Sequence, residues 1–284
     1  MPCTSAQALA VAQTLGLDRL DAQLLLLHAL GKSHADRAWL LAHDTDALSD
    51  DVTRQFDTLA HRRAAGEPLA YLVGYQEFFG LRLQVDPRVL IPRPDTETLV
   101  NWSLDLLQSD ALPADAAILD LGTGSGAIAL AIAQHLKTTG RPGHVTAADA
   151  SVGALAVARE NALQLGLDVA FVESSWFTKV SGNFHLVATN PPYVADADPH
   201  LAGLRHEPLS ALTAGPDGLD DLRQIIEQAP GYLHCGGWLL LEHGFDQTAR
   251  VRKFLSLRGF ANVQIRLDLA GIERCSGGQW MGLG

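Results

Sequence analysis

The chain has 284 residues, of which 47% are hydrophobic and 19% charged, and a formal net charge of -11. That length suits a large domain with a smaller one, and the composition is ordinary for a soluble globular protein. So acidic a surface repels phosphate backbones, which argues against nucleic-acid binding through a broad basic face and leaves a protein partner open. The N-terminus, MPCTSAQALAVAQTLGL, has no basic segment ahead of its apolar residues and does not read as a signal peptide. Residues 1 to about 65 predict a helical block. Thr4 or Ser5 caps a first helix, and Leu20, Leu24, Leu27 and His28 carry an apolar stripe. Ser33 opens a short helix through Leu41, and Ser49-Asp50-Asp51 starts another through Val52, Phe56 and Leu59.

Gly66-Glu67-Pro68 ends that block. Residues 69–80 and 81–85, rich in aromatics and partly alternating, predict a hairpin. Ile91-Pro92-Arg93-Pro94-Asp95 punctuates the chain, and Asp95 or Thr96 is placed to cap a helix with Glu97 in its first turn. Three segments are expected: a helical domain over 1–67, a hairpin linker over 68–94, and a larger domain over 95–284. From about 115, strands (117–121, 144–148, 168–172, 184–189, 236–242) alternate with helices (126–137, 152–165, 218–233, 246–258). This rhythm implies a mostly parallel α/β sheet with helices on both faces. Residues 261–266 and 271–281 predict an antiparallel hairpin at its edge. No apolar run reaches the roughly 18 residues of a membrane span. Cys3, Cys235 and Cys275 are isolated, with no CxxC pair and no metal-ligand spacing, so neither a metal site nor a disulfide framework is expected and a reducing cytoplasm is.

Two stretches carry chemistry. In the first, Ile118-Leu119-Asp120-Leu121 runs into Gly122-Thr123-Gly124-Ser125-Gly126 and then an Ala-rich helix. Alternate glycines let a ligand approach the backbone closely and leave N–H groups free at a helix N-terminus. The spacing is G-x-G-x-G, which disfavours a nicotinamide dinucleotide. Asp149 ends the next strand, 23 residues beyond Gly126, where a carboxylate accepts both ribose hydroxyls of a nucleoside. The alternative for Asp149 is a helix N-cap. Together these features favour an adenosine-containing cofactor without pyrophosphate, and S-adenosylmethionine fits. In the second stretch, Asn190-Pro191-Pro192-Tyr193 follows the strand 184–189. Prolines offer carbonyl acceptors and no N–H, Asn190 adds a side-chain carbonyl, and Tyr193 adds a flat face. Such a pocket suits a planar –NH2 group; a proline-rich turn is the plainer alternative.

A glycine-rich loop followed 64 residues later by NPPY resembles the S-adenosylmethionine enzymes that methylate amino groups of DNA, RNA and protein glutamine. More narrowly, the chain resembles the bacterial release factor glutamine methyltransferases, the PrmC/HemK family. The resemblance runs through Gly66-Glu67-Pro68-Leu69-Ala70-Tyr71-Leu72, Leu90-Ile91-Pro92-Arg93-Pro94-Asp95-Thr96-Glu97, the Gly122 loop, Ser175-Trp176-Phe177, NPPY, His206-Glu207-Pro208 and Leu240-Leu241-Glu242-His243-Gly244. The Ile91-to-Glu97 block is the most specific and favours release factors over the alternative, a ribosomal-protein substrate.

The resemblance implies a Rossmann-like methyltransferase fold with a small N-terminal helical domain, expected to help dock the protein substrate. It implies transfer to the side-chain amide of the glutamine in the Gly-Gly-Gln loop of class 1 peptide chain release factors, with neither a nucleic acid nor a membrane as direct partner. Gly122, Thr123, Gly124, Ser125, Gly126, Asp149, Trp176 and Asn190 are then expected at the cofactor, with Trp176 packed on its adenine. Asn190, Pro191, Pro192 and Tyr193 are expected to hold the glutamine, with Asn190, Pro191 and Tyr193 as the catalytic set. Arg93 to Glu97 are candidates for lining the cleft between the domains. The chain also carries its own Gly277-Gly278-Gln279, either a strand that happens to hold glycines or a copy of the substrate motif. A DNA or RNA amino-methyltransferase is the remaining alternative, disfavoured by the acidity and the lack of a basic recognition segment.

Overall fold

The computed structural model describes residues 3–109 and 111–282. Two compact units divide the chain, Met1–Tyr75 and Gln76–Gly284. The first is helical: α1 (Ser5–Thr14), α2 (Arg19–Ala29), α3 (Arg37–Ala42), α4 (Asp50–Ala64) and α5 (Leu69–Val73). Thr4 and Gln7 form a reciprocal capping box on α1, and Ser49 caps α4 by accepting the Val52 N–H. Ser33 caps a single 3-10 turn ahead of α3. Leu25, Leu26 and Leu27 of α2 are fully buried among Phe56, Leu59 and Leu72, whereas Leu20 stands exposed off that face. Residues 69–73 depart from the predicted strand. They form α5, entered from Pro68 and closed by Gly74 in the left-handed region. All four of Ala70, Tyr71, Leu72 and Val73 are buried, so no polar residue marks the helical period.

The stretch 68–94 divides between the two units. Its hairpin is β1 (Tyr75–Phe78), which begins on the last residue of the first unit, and β2 (Leu81–Gln84). Phe78, Leu81 and Leu83 point into the core of the second unit. A 3-10 turn, Pro94–Thr96, leads into α6 (Glu97–Gln108), and neither Asp95 nor Thr96 caps it with a side chain. Glu97 instead accepts the Phe79 N–H, tying α6 to the hairpin.

The remaining elements are β3 (Ala117–Leu121), α7 (Ala127–Thr139), β4 (His144–Asp149), α8 (Val152–Leu165), β5 (Ala170–Glu173), β6 (Phe184–Thr189), α9 (Asp220–Gln228), β7 (Leu233–Glu242), α10 (Thr248–Arg258), β8 (Ala261–Leu267) and β9 (Glu273–Trp280). The seven strands form one sheet in the order β5-β4-β3-β6-β7-β9-β8. β5 through β7 are parallel, and β9 and β8 run antiparallel at the edge. Strands β3 and β6 are covered on both faces, which explains their near-continuous apolar sequence. The edge strand β8 alternates between half-buried and exposed residues.

The Gly-Gly-Gln of the tail is part of β9, hydrogen-bonded between β7 and β8. Gln279 donates to the Gly236 carbonyl at 2.9 Å and accepts from Asn262 at 2.8 Å, so its amide is held in the sheet. A Cβ at Gly277 would lie 2.5 Å from Leu240 Cδ2, 2.8 Å from Trp102 and 2.9 Å from the Leu239 carbonyl. Crowding of this kind explains the glycine without any substrate mimicry. Gly277→Ala is expected to cost ~1–3 kcal/mol of stability by overpacking, read from the urea midpoint; an unchanged midpoint would show that the strand tolerates a side chain there.

Candidate active site

Chain order reverses between β3 and β6: the connection from β3 leads to β4 on one side, and the chain later returns to β6 on the other. Open α/β sheets carry their binding crevice at such a point, beyond the carboxyl ends of the strands. Parallel pairing of Ile118 with Leu186 and Asp120 with Ala188 brings the ends of β3 and β6 level, and the Thr189 hydroxyl bonds the Leu121 carbonyl across them. A cavity of about 440 Å³ opens there. Its wall includes Gly122, Thr123, Gly124 and Ser125 from the turn after β3, Asp149 from the tip of β4, Trp176, and Asn190 and Pro192 from the turn after β6. Gly126, Pro191 and Tyr193 are not in that wall.

Gly122, Gly124 and Gly126 all have φ between 55° and 88°, a backbone that side chains resist. Gly126 also packs tightly, since a Cβ there would sit 2.8 Å from Leu130 Cδ1. Several of the turn's backbone donors are engaged within the protein. Gly122 and Thr123 donate to the Ala148 carbonyl, Gly124 to the Asp149 carboxylate at 2.9 Å, and Gly126 to the Thr123 carbonyl.

Asp149 also accepts the Ser151 N–H at 2.8 Å, while the cap of α8 is Ser151 itself. Burial raises the Asp149 pKa despite these donors. Asp120 is wholly buried, accepts the Thr123 hydroxyl and the Ala129 N–H, and is pushed up to about 7 by burial. Burial raises Asp221, another wall residue, as well. Asp149 and Asp221, both in the wall and both held above their ordinary range, favour a cationic occupant, which relieves the desolvation of each. The cationic side chains of the wall are Arg88 and Arg93, paired with Asp86 and Glu207.

Trp176 sits at φ 46°, strained for a non-glycine residue, with its ring edge against Gly122. Its indole N–H donates to Asp221 at 3.1 Å, and the Ser174 hydroxyl holds its carbonyl at 2.7 Å. The NPPY turn divides its labour. Asn190 and Pro192 face the cavity, Pro191 is buried, and the Tyr193 hydroxyl turns away to donate to Glu242 at 3.2 Å. Gln247 fixes the turn from behind, donating to the Tyr193 carbonyl at 2.9 Å. Asn190 Nδ2 donates to Thr96 Oγ1 at 3.1 Å, so the block after Ile91 supports the motif directly. That block is anchored in turn by buried Glu207, which accepts the Ile91 N–H at 3.0 Å and pairs with Arg93. Sequence spacing gave Asp221 no role; only the fold brings it to Trp176. No group of metal-ligating side chains occurs among the described residues.

Residues 5–74 match the family model described as the PrmC N-terminal domain, and residues 103–205 match that of the methyltransferase small domain. The release factor glutamine methyltransferase of Burkholderia pseudomallei is 47% identical over 99% of this chain and 98% of its own. That of Bordetella pertussis is 48% identical over 93% of this chain and 95% of its own, and that of Pseudomonas aeruginosa 48% over 92% of each. Among solved structures, a methyltransferase from Pyrococcus furiosus superposes with a TM-score of 0.53 at 19% identity, covering 78% of this chain and 99% of its own. The catalytic domain of human Mettl16 gives 0.57 at 18% identity, covering 78% of this chain and 81% of its own. These last two show the shared fold alone. With near-half identity over almost its whole length, the chain belongs to the release factor glutamine methyltransferase family.

Proposed function

We propose that this chain transfers a methyl group from S-adenosylmethionine to the side-chain amide nitrogen of the glutamine in the Gly-Gly-Gln loop of class 1 peptide chain release factors, in the cytoplasm. The observation that carries the reading is the presence of Asn190 and Pro192 in the same cavity wall as the Gly122-to-Ser125 turn and Asp149. The relatives' names supply the substrate.

The residues fit the cofactor. A cavity of about 440 Å³ is of the size that holds a nucleoside-sized ligand. Gly122 to Gly126 let its backbone approach, Asp149 offers acceptors to ribose hydroxyls, Trp176 offers an aromatic face, and the raised carboxyl groups favour its positive charge. When bound it supplies an electrophilic methyl group on a sulfonium.

An amide nitrogen is a weak nucleophile because its lone pair is delocalised into the carbonyl. The Asn190 side-chain oxygen is proposed to accept one of its hydrogens, holding the nitrogen with its lone pair aimed at the methyl. Such alignment supplies several kcal/mol of the barrier reduction. Acceptors preset toward a nitrogen that turns positive add an electrostatic contribution of ~2–4 kcal/mol. The nitrogen's proton becomes acidic only as the bond forms and leaves afterwards, so the mechanism needs no base poised beforehand. Tyr193 acts from behind, holding the turn through Glu242. The first unit is proposed to dock the release factor.

Asn190→Ala is expected to lower kcat by about 100-fold or more while cofactor affinity stays within a few-fold; an unchanged kcat would remove Asn190 from the mechanism. Cofactor affinity is expected to depend on pH with a definite sign. A cation favours the ionised forms of Asp149 and Asp120, whose pKa values are raised in the free protein. Binding therefore releases protons, and affinity should fall as pH drops from about 8 to about 6. Asp149→Ala should weaken cofactor binding. Calorimetry showing pH-independent wild-type affinity would contradict the electrostatic reading.

A further inference from the structure

We propose that Asp221 is a positioning residue for the cofactor: by accepting the Trp176 indole N–H, it fixes the plane of the ring on which the adenine packs. The inference rests on the reading of Trp176 as the aromatic face of the cofactor site. Both residues belong to the cavity wall. The backbone of Trp176 is fastened to the strand tip that carries the Asp149 carboxylate. Pairing of β4 with β5 sets Asp149 beside Glu173, and the Ser174 N–H donates to the Asp149 carbonyl at 2.9 Å. The Ser174 hydroxyl donates to the Trp176 carbonyl at 2.7 Å and accepts the Lys179 N–H at 2.9 Å. These bonds hold Trp176 at φ 46°, in the left-handed region. They set where its side chain begins and leave the rotation of the ring to be fixed by something else.

Two contacts do so. One edge of the indole lies on Gly122, where a Cβ would stand 3.3 Å from Cζ3 and 3.7 Å from Cη2. The pyrrole N–H donates to Asp221 Oδ1 at 3.1 Å. With the Cβ of Trp176 itself, these give three points, and three points define a plane. The contact with Gly122 is apolar and lets the ring slide. The hydrogen bond is directional, and turning the ring would leave its donor unpaired in a half-buried site. Stacking depends on how two rings are tilted and offset, so the tilt of the indole governs how well a flat base packs on it. Asp221 is spared other duties at the start of α9. Asp220 pairs there with Arg223, and Asp217 accepts the Leu219 N–H. The role asks only for an acceptor, which a carboxyl oxygen is whether or not the group is ionised.

The test measures Kd for S-adenosylhomocysteine by calorimetry in the full-length protein, with kcat on a purified release factor and Tm alongside. This probe keeps the adenosine of the cofactor and lacks the sulfonium, so it reports the fit of the base apart from the attraction of a cation. Asp221→Ala should raise its Kd at least about tenfold. At saturating cofactor kcat should stay within about threefold, because the base is held alike in ground and transition states. Asp221→Asn keeps an oxygen for the indole and should hold Kd within about threefold of wild type. Trp176→Phe removes the donor and leaves α9 untouched; its Kd should rise as well, and it carries the test if Asp221→Ala fails to fold. In the Trp176→Phe background, Asp221→Ala should add less than about twofold, because the two act as one unit. Wild-type Kd in Asp221→Ala or Trp176→Phe beside a weakened Trp176→Ala would overturn the positioning role alone. So would equal losses in Asp221→Ala and Asp221→Asn, which would assign the effect to the carboxylate's charge. Wild-type Kd in Trp176→Ala would overturn the reading on which the role rests.

Discussion

The level pairing of β3 with β6 is the constraint on which the site depends. A parallel register that sets Asp120 beside Ala188 brings the Gly122 turn and Asn190 to one edge, although 64 residues separate Gly126 from Asn190. A slip of one residue would turn every side chain of β6 to the opposite face and carry Asn190 out of the crevice. Burial of both faces of these strands makes such a slip costly, and the bond from the Thr189 hydroxyl to the Leu121 carbonyl pins the two ends. The chemistry is thus positioned by turns that leave the buried centre of the sheet.

Around that frame, polar groups are arranged by the direction in which they can donate. The N–H groups of Gly122, Thr123, Gly124 and Gly126 are committed to Ala148, Asp149 and Thr123, which fixes the shape of the turn. Carboxyl groups accumulate: Asp120, Asp149 and Asp221 are each raised by burial. Raised wall carboxyls suit a cation on one side, and Asn190 suits an –NH2 group on the other. The partition within NPPY follows the same logic. Asn190 faces the cavity while Tyr193 is committed to Glu242, which makes the tyrosine a support for the turn.

Much of this was legible in the residues. The strand over 184–189 shows as an unbroken apolar run, and the helices over 127–139 and 152–165 follow from their glycine and serine boundaries. The glycine turn, Asp149, Trp176 and Asn190 could be picked out by spacing and by the family resemblance. Other features could not be read because they are made by tertiary contact. Residues 69–73 looked like a strand because all-round burial erased the helical period. Thr96 looked like a helix cap, yet its hydroxyl accepts the Asn190 amide, from a segment 94 residues away. Asp221 has no local signature and acquires its role only by meeting the indole of Trp176.

The identity of the methyl acceptor is the central claim. Incubation of the purified enzyme with S-adenosylmethionine and an unmodified class 1 release factor, followed by peptide mapping, addresses it directly. One methyl group on the side-chain nitrogen of the Gly-Gly-Gln glutamine, absent when that glutamine is replaced, is the predicted result. A methyl on another residue, or transfer to duplex DNA with the release factor untouched, would contradict it.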